Sequence, residues 1–388
     1  VLLASASLLM KSFRHLESQQ LGMSAHGVLQ LDLPVMGQRY PSAQALMDFY
    51  LRAETALQRV PGVTAVAISD SLPPDANSWH DARRYCDLFI DGKRASAPGV
   101  GGSIVMRTVT PNYFRVLQIP VIDGRDFTEQ ERTEAGNPVV LSRLLAARLF
   151  PEMNAVGKHI QFGTYMPYFS LEKTVYTVVG VAADVKNGGL AGEDAPEFYL
   201  LRAHRTAEWN RHVEVLLETE LPLGTIAPWI RAQIAQIDPT VPATLVPLSE
   251  SLERLADRPR FATALLGFFA VTGLTMAVIG LYGVIAFIAT QRTQEIGVRM
   301  ALGATRTDVL RLIAREGLVL IGVGGLAGLA TAFAAAHLLK SMLFQVEPHD
   351  PLSFIGVAIV LGIVASIATL IPARNAMKTD PMRALRYE

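Results

Sequence analysis

The stretch FATALLGFFAVTGLTMAVIGLYGVIAFIAT, from Phe261 to Thr290, decides the architecture. It carries no charged side chain, and a helix needs about 20 apolar residues to cross the hydrocarbon core of a bilayer. Two more uncharged stretches follow, Gly317 to Leu339 and Pro351 to Ala373. Three complete spans are therefore predicted, and the chain is expected to sit in a membrane, in contact with its lipid. The first span holds 30 residues, more than the hydrocarbon needs, so it must tilt or project beyond the bilayer. A stiff projecting helix is able to carry movement between the membrane and a domain outside it. Upstream, Ser249 to Asp257 reads as a helix that runs into this span with one interruption at Pro259. The chain opens on Val1 to Met10, apolar until Lys11 and half the length of a span. With no basic leader before it and no clean cleavage pattern after it, this reads as the end of a first transmembrane helix whose beginning is missing.

Length and charge bound the rest. A chain of 388 residues allows two to four domains at roughly 100 to 200 residues each. Lys plus Arg and Asp plus Glu total 35 each, but the part up to Arg260 is mildly acidic and the part after it is basic. An acidic folded part leaves no electrostatic footprint for nucleic acid, which excludes that class of partner. The single Cys86 permits no intrachain disulfide and no Cys-based zinc site, and it reads as a small packed hydrophobe. Short loops beside spans are rich in Lys and Arg when they stay in the cytoplasm. The segment 291–316 carries Arg292, Arg299, Arg306, Arg311 and Arg315, and the C-terminus carries Arg374, Lys378, Arg383 and Arg386. Both are predicted cytoplasmic. The 340–351 hairpin sets Lys340 against Glu347 and Asp350, so it is expected outside, and parity places the large domain outside with it.

That domain, about 11–260, mixes strand and helix patterns. Val28 to Val35 alternates as a strand, Ser42 to Val60 repeats its apolar residues at helical spacing, and Val63 to Ser69 returns as a strand after Pro61-Gly62. A second βαβ-like unit spans Val213 to Glu218, Leu223 to Ile237 and Val241 to Val246. Between them lie strand patterns at Asp87 to Ile90, Ile104 to Val109 and Val175 to Val181, and a short helix at Ser142 to Phe150. Two similar units separated by an insertion predict a bilobed α+β domain.

The catalytic and cofactor motifs fail on context. Gly322-Val-Gly324-Gly325-Leu-Ala327 spells a dinucleotide fingerprint, but it lies inside an apolar span rather than after a strand. Gly324 and Gly328 instead form a small-xxx-small pair suited to close helix packing, and Gly280 and Gly283 in the preceding span read the same way. No G-x-x-x-x-G-K-[ST] occurs, so any ATP must be hydrolysed by another subunit. The eight histidines show no metal-ligand spacing, no G-x-S-x-G elbow fixes a nucleophile, and neither metal nor cofactor is expected. The chain is read as no enzyme. The informative segment is Gln291 to Leu312. A basic helix resting on anionic headgroups is one reading of it. Against that reading, Glu295 and Asp308 interrupt the basic face, and Gly297 and Gly303 each cost about 1 kcal/mol in a helix interior. Short broken helices suit a groove on another protein, with Ile296 and Met300 as apolar anchors and Arg292 and Arg299 pairing acidic rim residues.

The run from Arg292 to Thr305 strongly resembles the signature loop of MacB/FtsX-type ABC transporter permeases. Leu281-Tyr-Gly-Val284, Ser341-Met-Leu-Phe344, Asp350-Pro351-Leu352, Pro372-Ala-Arg374 and the ending Leu385-Arg-Tyr-Glu388 are similar to the duplicated orphan permease branch of that family. In the outer domain Pro61-Gly-Val63, Ser71-Leu-Pro73, Tyr113-Phe114, Ile119-Pro120, Gly124-Arg125-Asp126-Phe127 and Val178-Val-Gly-Val181 resemble its periplasmic core. The resemblance implies one span, a two-lobed MacB-like periplasmic core domain, and then an FtsX-like permease domain over 261–388 with spans near 261–290, 317–339 and 352–372. It implies a bacterial inner-membrane location and a non-catalytic unit driven by an ABC ATPase in trans. Arg292, Glu295, Ile296, Gly297, Arg299, Met300, Leu302 and Gly303 then form the ATPase-coupling loop. A second permease unit is also implied, either another copy or the other half of a duplicated chain, of which this ending suggests the C-terminal half. The competing expectation is an energy-independent scaffold or receptor for an envelope partner. ATPase-dependent movement of the outer domain discriminates the two.

Overall fold

A computed structural model describes residues 1–35, 40, 42–74, 88–90, 93–94, 104–134, 136–151, 153–162, 174–190, 192–202, 213–291, 321–335 and 350–376. The chain divides into two compact units. One is Val1–Ser18 with Ala256–Glu388, and the other is Gln19–Leu255.

The outer unit is built on one mixed sheet of 12 strands among the described residues. In chain order these are β1 Val28–Asp32, β2 Val63–Ser69, β3 Leu88–Ile90, β4 Lys93–Arg94, β5 Val105–Val109, β6 Val121–Gly124, β7 Pro138–Ser142, β8 His159–Phe162, β9 Val175–Ala182, β10 Glu197–Leu201, β11 Glu214–Thr219 and β12 Thr244–Pro247. The sheet runs β12-β1-β11-β2-β5-β10-β7-β9-β8-β3-β4, and β6 pairs β9 from the side. The first four strands come from the two βαβ-like units, which interlock by antiparallel pairing of β1 with β11 and of β11 with β2. This is a split βαβ arrangement. The two units therefore share one half of the sheet, and the insertion between them builds the other half.

Helix α2 (Ala43–Gln58) starts where the Ser42 hydroxyl accepts a hydrogen bond from the Ala45 amide, a side-chain N-cap. Its Leu46, Phe49, Tyr50, Ala53 and Leu57 fall on one stripe, and all are buried. They pack with Ile226, Ile230 and Ile234 of α5 (Leu223–Ile237) over Leu29, Leu31, Val66, Ile68, Val215 and Leu217. The alternate strand residues Val28, Ala65, Ala67 and Leu216 point to the opposite face. There they meet Tyr113, Phe114 and Val116 of the short α3 (Tyr113–Val116), with Val140, Tyr199 and Leu201 from the inserted half. That second core runs beneath both halves of the sheet. A third, under α4 (Arg143–Leu149), gathers Leu145 and Leu149 with Val139, Leu141, Val178 and Phe198.

The membrane unit comprises α1 (Leu2–Glu17), α7 (Asp257–Gln291), α8 (Ile321–Ala335) and α9 (Pro351–Ala376). Helix α6 (Leu248–Leu255) ends one residue before α7 begins, so the break lies at Ala256 rather than at the predicted Pro259. Proline is tolerated in a first turn because the amide it lacks has no intrahelical partner there. At 35 residues α7 is about 52 Å long against roughly 30 Å of hydrocarbon. Two helices, α7 and α9, are long and apolar enough to cross a membrane among the described residues, and α8 is a shorter apolar helix within the predicted 317–339 span.

Candidate functional site

In the membrane unit, Ala4 of α1, Ala332 of α8 and Val357 of α9 form a small buried cluster with Leu3, Phe354 and Leu361 around it. Small side chains at the centre let the helices approach closely. The Phe333 and Phe354 rings meet at 6.2 Å between centroids, and Leu2 of α1 reaches within 3.4 Å of where a side chain on Gly273 of α7 would begin. One ion pair ties the second half of α1 to the start of α9. Lys11 Nζ lies 2.8 Å from Asp350 Oδ1, while Asp350 Oδ2 accepts from the Ser353 amide at 3.1 Å and the Ser353 hydroxyl at 2.6 Å. Asp350 is thus both the N-cap of α9 and the partner of α1. The hydrogen bonds from Lys11 and Ser353 hold its carboxyl below the usual carboxylate range.

Arg292, Glu295, Ile296, Gly297, Arg299, Met300, Leu302 and Gly303 lie outside the described residues, and α7 ends one residue before them at Gln291. The four packing glycines are described. A side chain added at Gly280, Gly283, Gly324 or Gly328 would meet nothing within 4 Å among the described residues. Among the described residues, the span glycine with a side chain close to it is Gly273.

In the outer unit, several motifs that are separate in sequence come together. Gly124, at φ +71, pairs opposite Gly180 where β6 crosses β9. A side chain at Gly180 would strike the Arg125 carbonyl, and one at Gly124 the Val179 carbonyl. Gly124-Arg-Asp-Phe127 and Val178-Val-Gly-Val181 are therefore two sides of one backbone contact. Phe127 enters the core beneath the sheet, and Arg125 grips Glu131 with two hydrogen bonds of 3.1 and 2.7 Å. Burial pushes the Asp126 carboxyl up to about 6.

The centre of the sheet holds a buried ion pair. Arg107 on β5 and Glu197 on the adjacent parallel β10 meet at 2.6 Å, with exposures of 0% and 1%. Glu197 also accepts from Asn187 Nδ2 and from the Tyr199 hydroxyl, each at 3.1 Å, and Arg107 Nη1 donates to Ser71 Oγ at 2.8 Å. Burial works against the Arg107 charge, but the facing Glu197 carboxylate more than offsets it, and the arginine stays protonated. This cluster stands beside the narrowest part of the sheet, where β2 pairs β5 through Ser69 and Val109 alone. A second buried pair, Arg132 to Glu54 at 2.9 and 3.1 Å, fastens the inserted half to α2. Both pairs escaped sequence reasoning. The available signal was a lone charge inside or beside an apolar strand run, as at Arg107 and Glu197; Lys11 and Asp350 likewise mark where apolar runs end and begin.

A unit of long apolar helices joined to an α+β unit defines the class of a membrane-anchored two-unit protein. Residues 6–231 match the MacB-like periplasmic core domain family and residues 267–381 match the FtsX-like permease C-terminal family. The chain belongs to the MacB/FtsX-type permeases of ABC transporters. Among curated relatives, a probable syringafactin export ATP-binding/permease protein, SyfD of Pseudomonas syringae pv. tomato, is 28% identical over 341 residues, covering 83% of this chain and 48% of the relative. The macrolide export ATP-binding/permease protein MacB of Chromobacterium violaceum is 28% identical over 327 residues, covering 82% and 47%. The chain spans about half the length of the curated relatives it matches. The solved periplasmic region of MacB from Actinobacillus actinomycetemcomitans aligns with a TM-score of 0.42 at 13% identity, over 63% of this chain and 98% of that one.

Proposed function

We propose that this chain is a non-catalytic permease unit that couples ATP hydrolysis by a partner ABC ATPase to movement of its outer domain, for efflux or mechanotransmission. The observation that carries this reading is that a periplasmic-core match over residues 6–231 is followed by a permease match over residues 267–381 on one chain. The relatives are named both ATP-binding and permease, and this chain spans about half their length. The segment after α7, from Arg292 to Gly303, docks on the ATPase. Glu295 and Arg299 supply its charge contacts, and Ile296, Met300 and Leu302 its apolar ones. Gly297 and Gly303 break the helix so that it fits a groove. Helix α7 exceeds the hydrocarbon thickness and serves as the rod that carries the displacement outward. Gly280, Gly283, Gly324 and Gly328 meet no neighbour among the described residues, and they receive the second permease unit within the inner membrane. Segments 291–316 and the C-terminus face the cytoplasm, and the outer domain and the 340–351 hairpin face the envelope. Export is the direction that the relatives' names share.

The test is co-purification of the chain with candidate ABC ATPases, followed by ATP hydrolysis in the reconstituted pair. Hydrolysis stimulated by the chain, and lost in the double charge reversal Glu295→Arg with Arg299→Glu, is the expected result. Binding that survives the reversal rejects the docking segment. An outer domain that stays still through the ATP cycle of every bound ATPase replaces this reading with the scaffold.

A further inference from the structure

At the end of α1 that carries Lys11, the membrane unit opens a cleft of about 650 Å³ between α1 and the start of α9. Ser7, Lys11, Arg14 and Ser18 line it from α1 at spacings of four, three and four residues, which is one face of a helix. His15 completes the basic rim, and Met10 with Leu352 supplies the apolar floor. Lys11 is engaged with Asp350, whereas Arg14 and His15 are exposed and make no side-chain ion pair among the described residues. Basic residues in a last helical turn also complement the helix dipole. That accounts for their presence at the end of α1 but not for the cleft they share with Lys11.

Two boundaries coincide at this cleft. The apolar opening of α1 stops at Lys11, and the apolar run of α9 begins at Pro351, directly after Asp350. The Lys11–Asp350 ion pair brings these two transitions to one level. In a membrane that level is the headgroup layer, where Lys and Arg gather and apolar side chains continue into the hydrocarbon. Leu352 and Met10, both exposed, then lie on the acyl side of the cations.

We infer that this cleft is a binding site for the phosphate of an anionic membrane phospholipid, held by Arg14 and His15 with Lys11, its acyl chains lying along Met10 and Leu352. The inference rests on the reading of the chain as membrane-spanning. Charge complementarity selects the ligand, since Lys11 and Arg14 outweigh the one carboxylate of Asp350. The site would fasten a lipid to the two helices that the ion pair already joins.

Membrane fractionation of the full chain comes first; recovery in the soluble fraction would sink the membrane-spanning reading itself. The membrane-extracted chain is then titrated in mild detergent by native mass spectrometry with phosphatidylglycerol, with a diacylglycerol of the same acyl chains, and with inorganic phosphate. Phosphatidylglycerol is expected to bind about tenfold more tightly than the diacylglycerol, the scale of one to two interfacial cations. The double variant Arg14→Gln with His15→Gln should erase that preference. Arg254→Gln, a change at an exposed cation of α6 paired with Glu250, should leave it intact. No preference in the wild type, or one that survives in the double variant, overturns the site. Displacement of the lipid by millimolar phosphate overturns the lipid as its occupant.

Discussion

Both units bury apolar side chains, but they differ in where they put charge and large apolar surface. The outer unit encloses the charged pairs Arg107–Glu197 and Arg132–Glu54 with nearly no exposure. The membrane unit turns large apolar side chains outward, with Leu326 72% and Phe268 66% exposed. In water the first pattern is costly unless every partner is present, and the second would drive aggregation. The membrane unit's surface fits a solvent of lipid, in which apolar exposure is neutral and the backbone must satisfy itself through helices. The outer unit's sheet fits a solvent of water, in which a few buried charges are held by opposite charges facing them.

The largest effect expected from breaking this contrast is at Glu197. Glu197→Ala leaves Arg107 buried without its carboxylate and should cost about 3 to 5 kcal/mol. Thermal unfolding of the outer unit in the detergent-solubilised chain measures it. The paired change Arg107→Met with Glu197→Leu should recover most of that loss, because it removes both charges together. Failure of the pair to recover it would mean that the hydrogen bonds to Asn187 and Ser71, rather than the charges, hold this part of the sheet.

A charge placed on the apolar surface of the other unit comes next. Leu326→Lys should disfavour membrane insertion by about 2.5 to 3.5 kcal/mol, whereas Leu326→Ala should leave the stability of the folded chain within about 0.5 kcal/mol. A glycosylation-based insertion assay reads the first and thermal unfolding the second. Equal tolerance of both would show that Leu326 does not face lipid.

The smallest effect expected is at Asp126. Its folded value of about 6 lies above the ordinary carboxylate value, so the folded state holds the proton more tightly than the unfolded one. This contribution to stability is therefore fully present below about pH 4 and is lost as pH rises through 6. Asp126→Asn keeps an acceptor for the Phe127 amide and should flatten the dependence, adding about 1 kcal/mol at pH 8 after screening at this half-buried site. An unchanged slope of stability against pH between 4 and 7 would reject it.

Local signals were legible residue by residue. Helix α5 occupies the predicted Leu223 to Ile237, and β2 the predicted Val63 to Ser69. Each is bounded by nearby chemistry: Asp238, whose carboxylate accepts from the Thr240 amide, closes α5, and Gly62 at φ +89 opens β2. The strands β4, β6, β7, β8 and β10 were not predicted, and β12 begins at Thr244 rather than Val241. These runs are short, β6 is mostly exposed, and β7 and β10 are buried on both faces, so they lack the alternation that reveals a strand. The glycine pair Gly124 and Gly180 was visible only as two separate motifs.

By itself the sequence determined what depends on neighbours a few residues away: the length of each apolar run, the caps and turns, the missing phosphate loop and the balance of charge along the chain. The tertiary structure alone decided what depends on distant segments meeting. It set β11 between β1 and β2, Arg107 against Glu197 across 90 residues, and Lys11 against Asp350. The physical reason is that helix periodicity and capping act within one or two turns, whereas strand order and buried ion pairs are chosen by the free energy of burying whole faces together.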